Sequence, residues 1–216
     1  MKKLLLASVI ATVFAAPLAV HAESTTVNPA ISGSTATGRL DFTVVIPAVL
    51  YLRIGTGNAI AAANNATIDG ITFTVPATNI GDSTVVAGVG GDLNATTPGS
   101  VTVRVFSNFG TGVGLNAAAG GQLTSSGGDT IAWTDIAVAT AALPATTAGY
   151  TNGTLAHPAL TAAGVGTSVP IAAVGRLVRQ ETKWTFSYSN STAKPAGSYG
   201  AGTGTNGRLT YTATQV

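Results

Sequence analysis

The sequence has no cysteine and very little charge. Among its 216 residues there are eight Asp and Glu, ten Lys and Arg and two His, and charged side chains make up only 8%. The absence of cysteine excludes disulfide scaffolds, cysteine-ligated zinc or iron–sulfur sites and cysteine nucleophiles. Because ordinary soluble domains contain about 25% charged residues, this chain is also poor in the side chains that most catalytic sites use.

Residues 1–22 have the pattern of a secretory signal peptide. Two lysines precede an apolar run from Leu4 to Ala16, and Val20-His21-Ala22 gives a small-x-small ending, so cleavage is expected after Ala22. We therefore expect export from a Gram-negative cell, to the periplasm, the cell surface or the extracellular medium. The leader contains two of the ten basic residues and no acid, so the remaining chain has a formal net charge of zero. This neutrality argues against a nucleic-acid partner, and no later apolar run is long enough for a membrane span.

The rest of the chain has the alternation of β-strands. Residues 23–37 are small and polar and are predicted to be an N-terminal extension, whereas 38–216 are predicted to form one domain. Apolar and polar residues alternate in seven clear segments: Leu40–Ile46, Val49–Ile54, Ile71–Val75, Val101–Phe106, Ile131–Val138, Trp184–Tyr188 and Leu209–Ala213. With shorter apolar runs this gives about nine strands, separated by Gly, Asn, Asp and Pro, which predicts an all-β sandwich or barrel.

Two irregularities interrupt this pattern. The alternation changes phase near Asp135, which predicts a bend or bulge there. Residues 139–170 contain no clear strand and are predicted to be a long loop, a feature that is often functional or mobile.

The candidates for catalysis are few. His157 is the one imidazole after the leader, and no acid that could orient it lies between Asp135 and Glu181. We therefore interpret His157 as a solvated loop residue. A Gly-x-Ser-x-Gly nucleophile motif and an EF-hand calcium loop are both absent. The sequence accordingly predicts no enzyme, no cofactor and no metal.

Two further clusters have a simple and a functional interpretation. Trp184, Phe186 and Tyr188 alternate on one strand, where they would form either a stacking platform for sugars or, as we favour, part of the core. The one local basic cluster consists of Arg176, Arg179 and Lys183. Because Glu181 lies inside this cluster, we interpret it as a solvated edge.

The C-terminal segment resembles a known family. Lys194-Pro-Ala-Gly-Ser-Tyr199, a Gly-rich turn and the strand Leu209–Ala213 are similar to the final hairpin of chaperone–usher pilin subunits and related spore-coat-U-like secreted proteins. Val101–Asn108 also resembles a mid-domain strand of those proteins. The resemblance implies an immunoglobulin-like antiparallel β-sandwich that lacks its last strand, and a neighbour's N-terminal extension fills the gap by strand addition.

Carried over to this sequence, the resemblance assigns roles to two segments. The donor would be 23–37, with Val27, Pro29 and Ile31 as anchors, and the acceptor groove would be bordered by Leu209, Tyr211 and Ala213. Two alternatives to this assignment are open for the run Leu40–Ile46, in which the alternation is stronger. It is either the donor in place of 23–37 or the first strand of a complete domain. The disulfide usual in the family is impossible here. Expected partners are copies of the chain itself or a periplasmic chaperone.

Two functions follow from these expectations. The first is a secreted structural or adhesive surface protein, a fimbria-like subunit that assembles by strand addition. The alternative is a self-contained periplasmic or secreted binding module, for example for carbohydrate, which would use the loop 139–170 and exposed aromatic residues.

Overall fold

A computed structural model describes residues 24–58 and 64–216. The chain divides into two compact units, with the boundary between Ile46 and Pro47. We call residues 47–216 the body. The predicted leader lies outside the described residues. Within those residues no helix has the length and apolar character needed to cross a bilayer.

Residues 24–46 contain no strand or helix, and their side chains are exposed. The sequence predicted a half-buried strand at Leu40–Ile46, and this is wrong for the structure, which has no strand there. Phe42 is 84% exposed and Val44 83%. Alternation alone does not form a strand, because a strand also needs a neighbour for its backbone N–H and C=O groups, and no other part of residues 24–46 is a strand.

The body is all-β, which confirms the predicted fold class. The described residues form thirteen strand segments: β1 Leu50–Ile54, β2 Ile71–Thr72, β3 Val86–Ala87, β4 Val89–Gly90, β5 Ser100–Ser107, β6 Val113–Ala119, β7 Leu123–Thr124, β8 Thr130–Ile131, β9 Ile136–Ala141, β10 Thr151–Asn152, β11 Val169–Ile171, β12 Val178–Tyr188 and β13 Leu209–Gln215. The number exceeds the predicted nine because several segments have only two residues. A 3-10 turn at Trp133–Asp135 occupies the place of the predicted bend.

Two sheets share the main hydrophobic core. The larger sheet has six strands. In it β1 pairs with β5 and β5 with β12, and β12 also pairs with β3, β9 and β10. The smaller sheet has the order β11-β6-β13. Their inward side chains pack together, among them Val103 of β5, Leu115 of β6 and Trp184 of β12, all fully buried. This packing is consistent with a β-sandwich, and the immunoglobulin-like strand order stays a prediction.

The segment 139–170, predicted to be a long loop, is packed against the rest of the body. It contains the end of β9, the short strand β10 and isolated bridges at Val165 and Gly166. Leu143 and Leu155 are buried along it. Single buried apolar residues, separated by Ala, Thr and Gly, therefore fix this segment in the structure. Because they do not recur at a regular spacing, the sequence shows no strand or helix periodicity here.

A buried ion pair lies on the outer face of the larger sheet. Arg104 of β5 and Glu181 of β12 are directly opposite each other, and Arg104 Nε donates a hydrogen bond to Glu181 Oε2 at 2.7 Å. The backbone N–H of Thr147 donates to Glu181 Oε1, also at 2.7 Å. Burial alone would raise the pKa of Glu181, but the hydrogen bonds from Thr147 and Arg104 outweigh it and the pKa is lowered. The pair thus anchors the connection between β9 and β10 to the sheet.

We predict that Glu181→Gln lowers the free energy of unfolding by about 3–5 kcal/mol, because it leaves the Arg104 guanidinium buried without its counter-charge. Urea denaturation of the full chain, followed by tryptophan fluorescence, measures this loss. The double variant Arg104→Met/Glu181→Met should recover most of it, and Asp129→Asn, at an exposed acid, should change stability little. A double variant as unstable as Glu181→Gln would contradict the role of the unpaired charge.

Candidate functional site

An open apolar trough runs along the body. It consists of two adjoining clefts of about 510 and 310 Å³. Six of the lining residues are shared by the two clefts: Ile71, Phe73, Leu123, Ile136, Tyr199 and Gly200. At one end the lining includes Ile54 and Val101, and at the other it includes Asn190. The two clefts therefore form one continuous surface, which we call the trough.

The trough lies beside strand edges that have no partner. Ile71, Phe73 and Val75 are half-buried and alternate with exposed threonines, as in a strand, yet only Ile71–Thr72 pairs, with β4. Among the described strands, β13 pairs only with β6, and β1 only with β5. Unpaired N–H and C=O groups of this kind are a template for an added strand.

The structure separates the residues that the sequence assigned to the acceptor groove. Leu209 and Tyr211 of β13 line the trough. Ala213 does not line it and, like Tyr211, packs against the main core cluster. Sequence reasoning missed Phe73 and Tyr199, which line the trough from outside β13. The alternation at Ile71–Val75 was visible, but a sequence does not show that such a segment lacks a neighbouring strand.

The predicted donor residues all lie in the first unit. Val27 is 37% exposed and Ile31 75%, and Pro29 is exposed between them. The run Leu40, Phe42, Val44 and Ile46 presents a longer apolar series, with exposed fractions from 57% to 84%. Within residues 24–46, both candidate donors therefore have exposed apolar side chains and no strand partner.

The aromatic row of β12 faces inward. Trp184 is fully buried and Tyr188 is 5% exposed, while Phe186 is half-buried and contributes to the trough. A stacking platform for sugars requires rings that face solvent, so this row does not form one. It belongs to the core and to the lining of the trough.

His157 belongs to an aromatic cluster next to the trough. Its Nε2 lies 2.8 Å from the hydroxyl of Tyr211, and its ring centroid lies 4.7 Å from that of Trp184. Trp184 Nε1 donates to the carbonyl of Leu155 at 2.8 Å. The interpretation of His157 as a solvated loop residue is therefore wrong, because the buried Leu155 and Pro158 draw the imidazole into the cluster.

This cluster is uncharged at neutral pH. Burial lowers the pKa of His157 to about 4, although a backbone hydrogen bond at Pro158 opposes the shift. Burial also raises the pKa of Tyr211. The hydrogen bond between the neutral imidazole and the Tyr211 hydroxyl holds Tyr211 in place beside the trough. In the described part of the chain no three His, Asp or Glu side chains converge as a metal site would require.

We predict that His157 makes stability fall in mild acid. Its folded pKa is depressed, so the proton binds the unfolded chain first, and stability is lost as the pH falls from about 6.5 towards 4. Between pH 7.5 and 5 the loss should be about 2 kcal/mol, measured by urea denaturation of the full chain. The variant His157→Asn should lack this component over the same interval. An unchanged pH dependence in His157→Asn would show that other groups cause it.

Comparison with known proteins adds no relative: no protein-family model matches the sequence, and no curated protein or solved structure matches the chain.

Proposed function

We propose that the protein is an exported structural surface protein, a fimbria-like subunit that assembles by strand addition. In this proposal Leu40–Ile46 of one chain occupies the trough of the next. The observation that carries it is the presence, in one chain, of an exposed alternating apolar run and an apolar trough beside unpaired strand edges. Strand addition joins such elements through main-chain hydrogen bonds and alternate side chains.

The lengths of the run and the trough agree. In extended conformation the four apolar side chains from Leu40 to Ile46 point to one face and span about 20 Å. The trough extends from Ile54, which is opposite Val103 and therefore at the level of Thr182 of β12, to Tyr188. Six residues of β12 separate Thr182 from Tyr188, which is again about 20 Å.

The donor in this proposal comes from another molecule, and the body that receives it starts at a defined place. Asn108 accepts a hydrogen bond from the N–H of Val49 at 2.7 Å and donates one to the carbonyl of Pro47 at 2.8 Å. Leu50 follows as the first residue of β1, opposite Ser107 of β5. These bonds fix the first residues of the body on the larger sheet.

The run Leu40–Ile46 is a better donor than the segment 23–37. That segment offers Val27 and Ile31 as large apolar anchors, and Pro29 between them has no N–H to donate to a neighbouring strand. The run has four anchors and no proline before Pro47. We therefore assign the run as donor and residues 23–37 as the connection that precedes it.

Export and chaperoning complete the proposal. The signal pattern of residues 1–22 supports delivery to the periplasm and the cell surface. An apolar trough with open strand edges is prone to wrong pairing before assembly. A periplasmic chaperone that covers the trough is accordingly the second partner we propose, besides copies of the chain itself.

Our assembly prediction concerns Phe42→Asp in the full-length chain. A charge in the apolar series of the donor should abolish strand-added polymers, because a buried unpaired carboxylate is strongly unfavourable. The measurement is an immunoblot of surface and periplasmic fractions, loaded with and without boiling in SDS. The wild type should give a ladder that collapses on boiling, and Phe42→Asp a single band in both lanes.

The matched control for this experiment is Thr43→Asp, which introduces the same charge on the opposite face of the run and should keep the ladder. Deletion of 24–37 should also keep it if the run is the donor. A persistent ladder in Phe42→Asp would contradict the assignment of the donor. A wild-type chain that gives one band in both lanes would contradict assembly itself and favour a self-contained binding module.

A second prediction tests the trough alone. The full-length Phe42→Asp chain keeps its trough but cannot donate, so a synthetic peptide with the sequence of residues 38–47 should bind it. At a peptide concentration of 100 times its Kd we expect the Tm to rise by about 5 °C or more. A peptide with Phe42→Asp should leave the Tm unchanged, and one with Thr43→Asp should act as the parent does. Equal Tm shifts with all three peptides would mean that the trough does not distinguish the apolar face of the peptide from the opposite face.

A further inference from the structure

The outer face of the larger sheet has more positive than negative charge. Its two carboxylates both form ion pairs, Asp92 with Arg53 at 3.0 Å and Glu181 with Arg104 at 2.7 Å. Arg179 of β12 points to the same face as Glu181, since the two are two residues apart on one strand, and it is exposed. Within the described residues no carboxylate pairs with Arg179. Glu181, which lies inside the basic cluster of Arg176, Arg179 and Lys183 in the sequence, is thus buried and already paired with Arg104.

Aromatic rings lie next to this arginine. Arg179 is directly opposite Phe106 of β5, and Phe106 is directly opposite Tyr51 of β1. The three positions form a row across the sheet that spans about 10 Å. Phe106 and Tyr51 are only half-buried, so part of each ring faces solvent.

A third ring flanks the row and is held in place. Tyr150 lies against the guanidinium of Arg104, 5.6 Å from its carbon to the ring centroid. The loop that contains Tyr150 is fixed on both sides, because the Thr147 N–H donates to the Glu181 carboxylate and the Gly153 N–H donates to the Glu181 carbonyl at 3.0 Å. The buried ion pair therefore orders this aromatic surface in advance.

We propose that Tyr51, Phe106, Tyr150 and Arg179, which we call the aromatic–arginine patch, bind an acidic polysaccharide whose sugars carry carboxylates. The planar guanidinium of Arg179 pairs with a sugar carboxylate through two parallel hydrogen bonds. The aromatic rings, which are apolar on their faces, pack against the C–H faces of adjacent sugar rings. A row of about 10 Å matches a short stretch of such a polymer rather than a single small ion.

The charge of the whole chain narrows the choice of ligand. Apart from the leader the chain is neutral, so it offers no general field that would collect polyanions. Nucleic acids bind through many phosphate contacts, and Arg179 with its neighbours Arg176 and Lys183 offers only a few. The patch also occupies the outer face of the sheet, whereas the trough is lined by inward-facing residues such as Val101 and Phe186. Glycan binding therefore does not depend on the proposed assembly.

The test is binding of the full-length chain to immobilised polygalacturonate, alginate and hyaluronate, with uncharged dextran as the reference surface. We expect binding to at least one acidic polymer and none to dextran. Arg179→Gln should weaken it about tenfold or more, and Tyr150→Ala should weaken it to a similar degree. Arg179→Lys should restore only part of the affinity, because an ammonium lacks the planar fork.

The matched control is Arg208→Gln, which removes the same charge at another exposed arginine and should leave binding unchanged. Urea denaturation of each variant checks that its fold is intact. No binding to any of the three acidic polymers would overturn the proposal, as would equal binding to dextran. Equal losses in Arg179→Gln and Arg208→Gln, or equally tight binding to single-stranded DNA, would also overturn it in favour of non-specific charge attraction.

Discussion

The constraint on which the rest of the structure depends is that every buried strand edge needs a partner for its backbone N–H and C=O groups. In the body this requirement is met across β5 and β12, which are central in the larger sheet. Among the described strands it is not met along 73–75 or the outer edge of β13. The same place lacks side chains to fill the space between the sheets, which leaves the trough. Missing hydrogen bonds and missing apolar contacts thus coincide, and one extended segment would supply both.

The two faces of the larger sheet differ in chemistry. Its inner face is apolar and ends at the trough, while its outer face carries the Arg104–Glu181 pair and the ring of Tyr150. A buried ion pair contributes little net stability, since desolvation offsets most of the attraction. Its consequence here is positional, because Glu181 fixes the loop that covers it. In the two proposals made above, the inner face serves assembly and the outer face serves contact with a ligand.

Alternation in the sequence predicted β5, the second half of β12 and β13, because each has an apolar face in a core and a second face of mostly polar side chains. It failed where its physical basis is absent. The strands β10 and β11 are too short to show a period, and His157 is held by neighbours distant in sequence. Leu40–Ile46 has the same pattern as β13, yet it is exposed. Alternation shows which side chains share one face of an extended segment, and it does not show whether anything covers that face. For that reason the trough, which lies beside strand edges without a partner among the described strands, could not be predicted from the sequence.

The free energy of adding the run explains why the strand edges matter as much as the apolar surface. Burial of four large apolar side chains contributes about 1.5–3 kcal/mol each, whereas fixing the backbone of about seven residues costs about 1–2 kcal/mol each. These two quantities roughly cancel. The outcome then depends on the ladder hydrogen bonds, each worth about 0.5–1.5 kcal/mol, that the added strand forms with 71–75 and β13. An apolar peptide that filled the trough without matching these edges would bind weakly, and selectivity for an extended segment follows from the backbone as well as from the side chains.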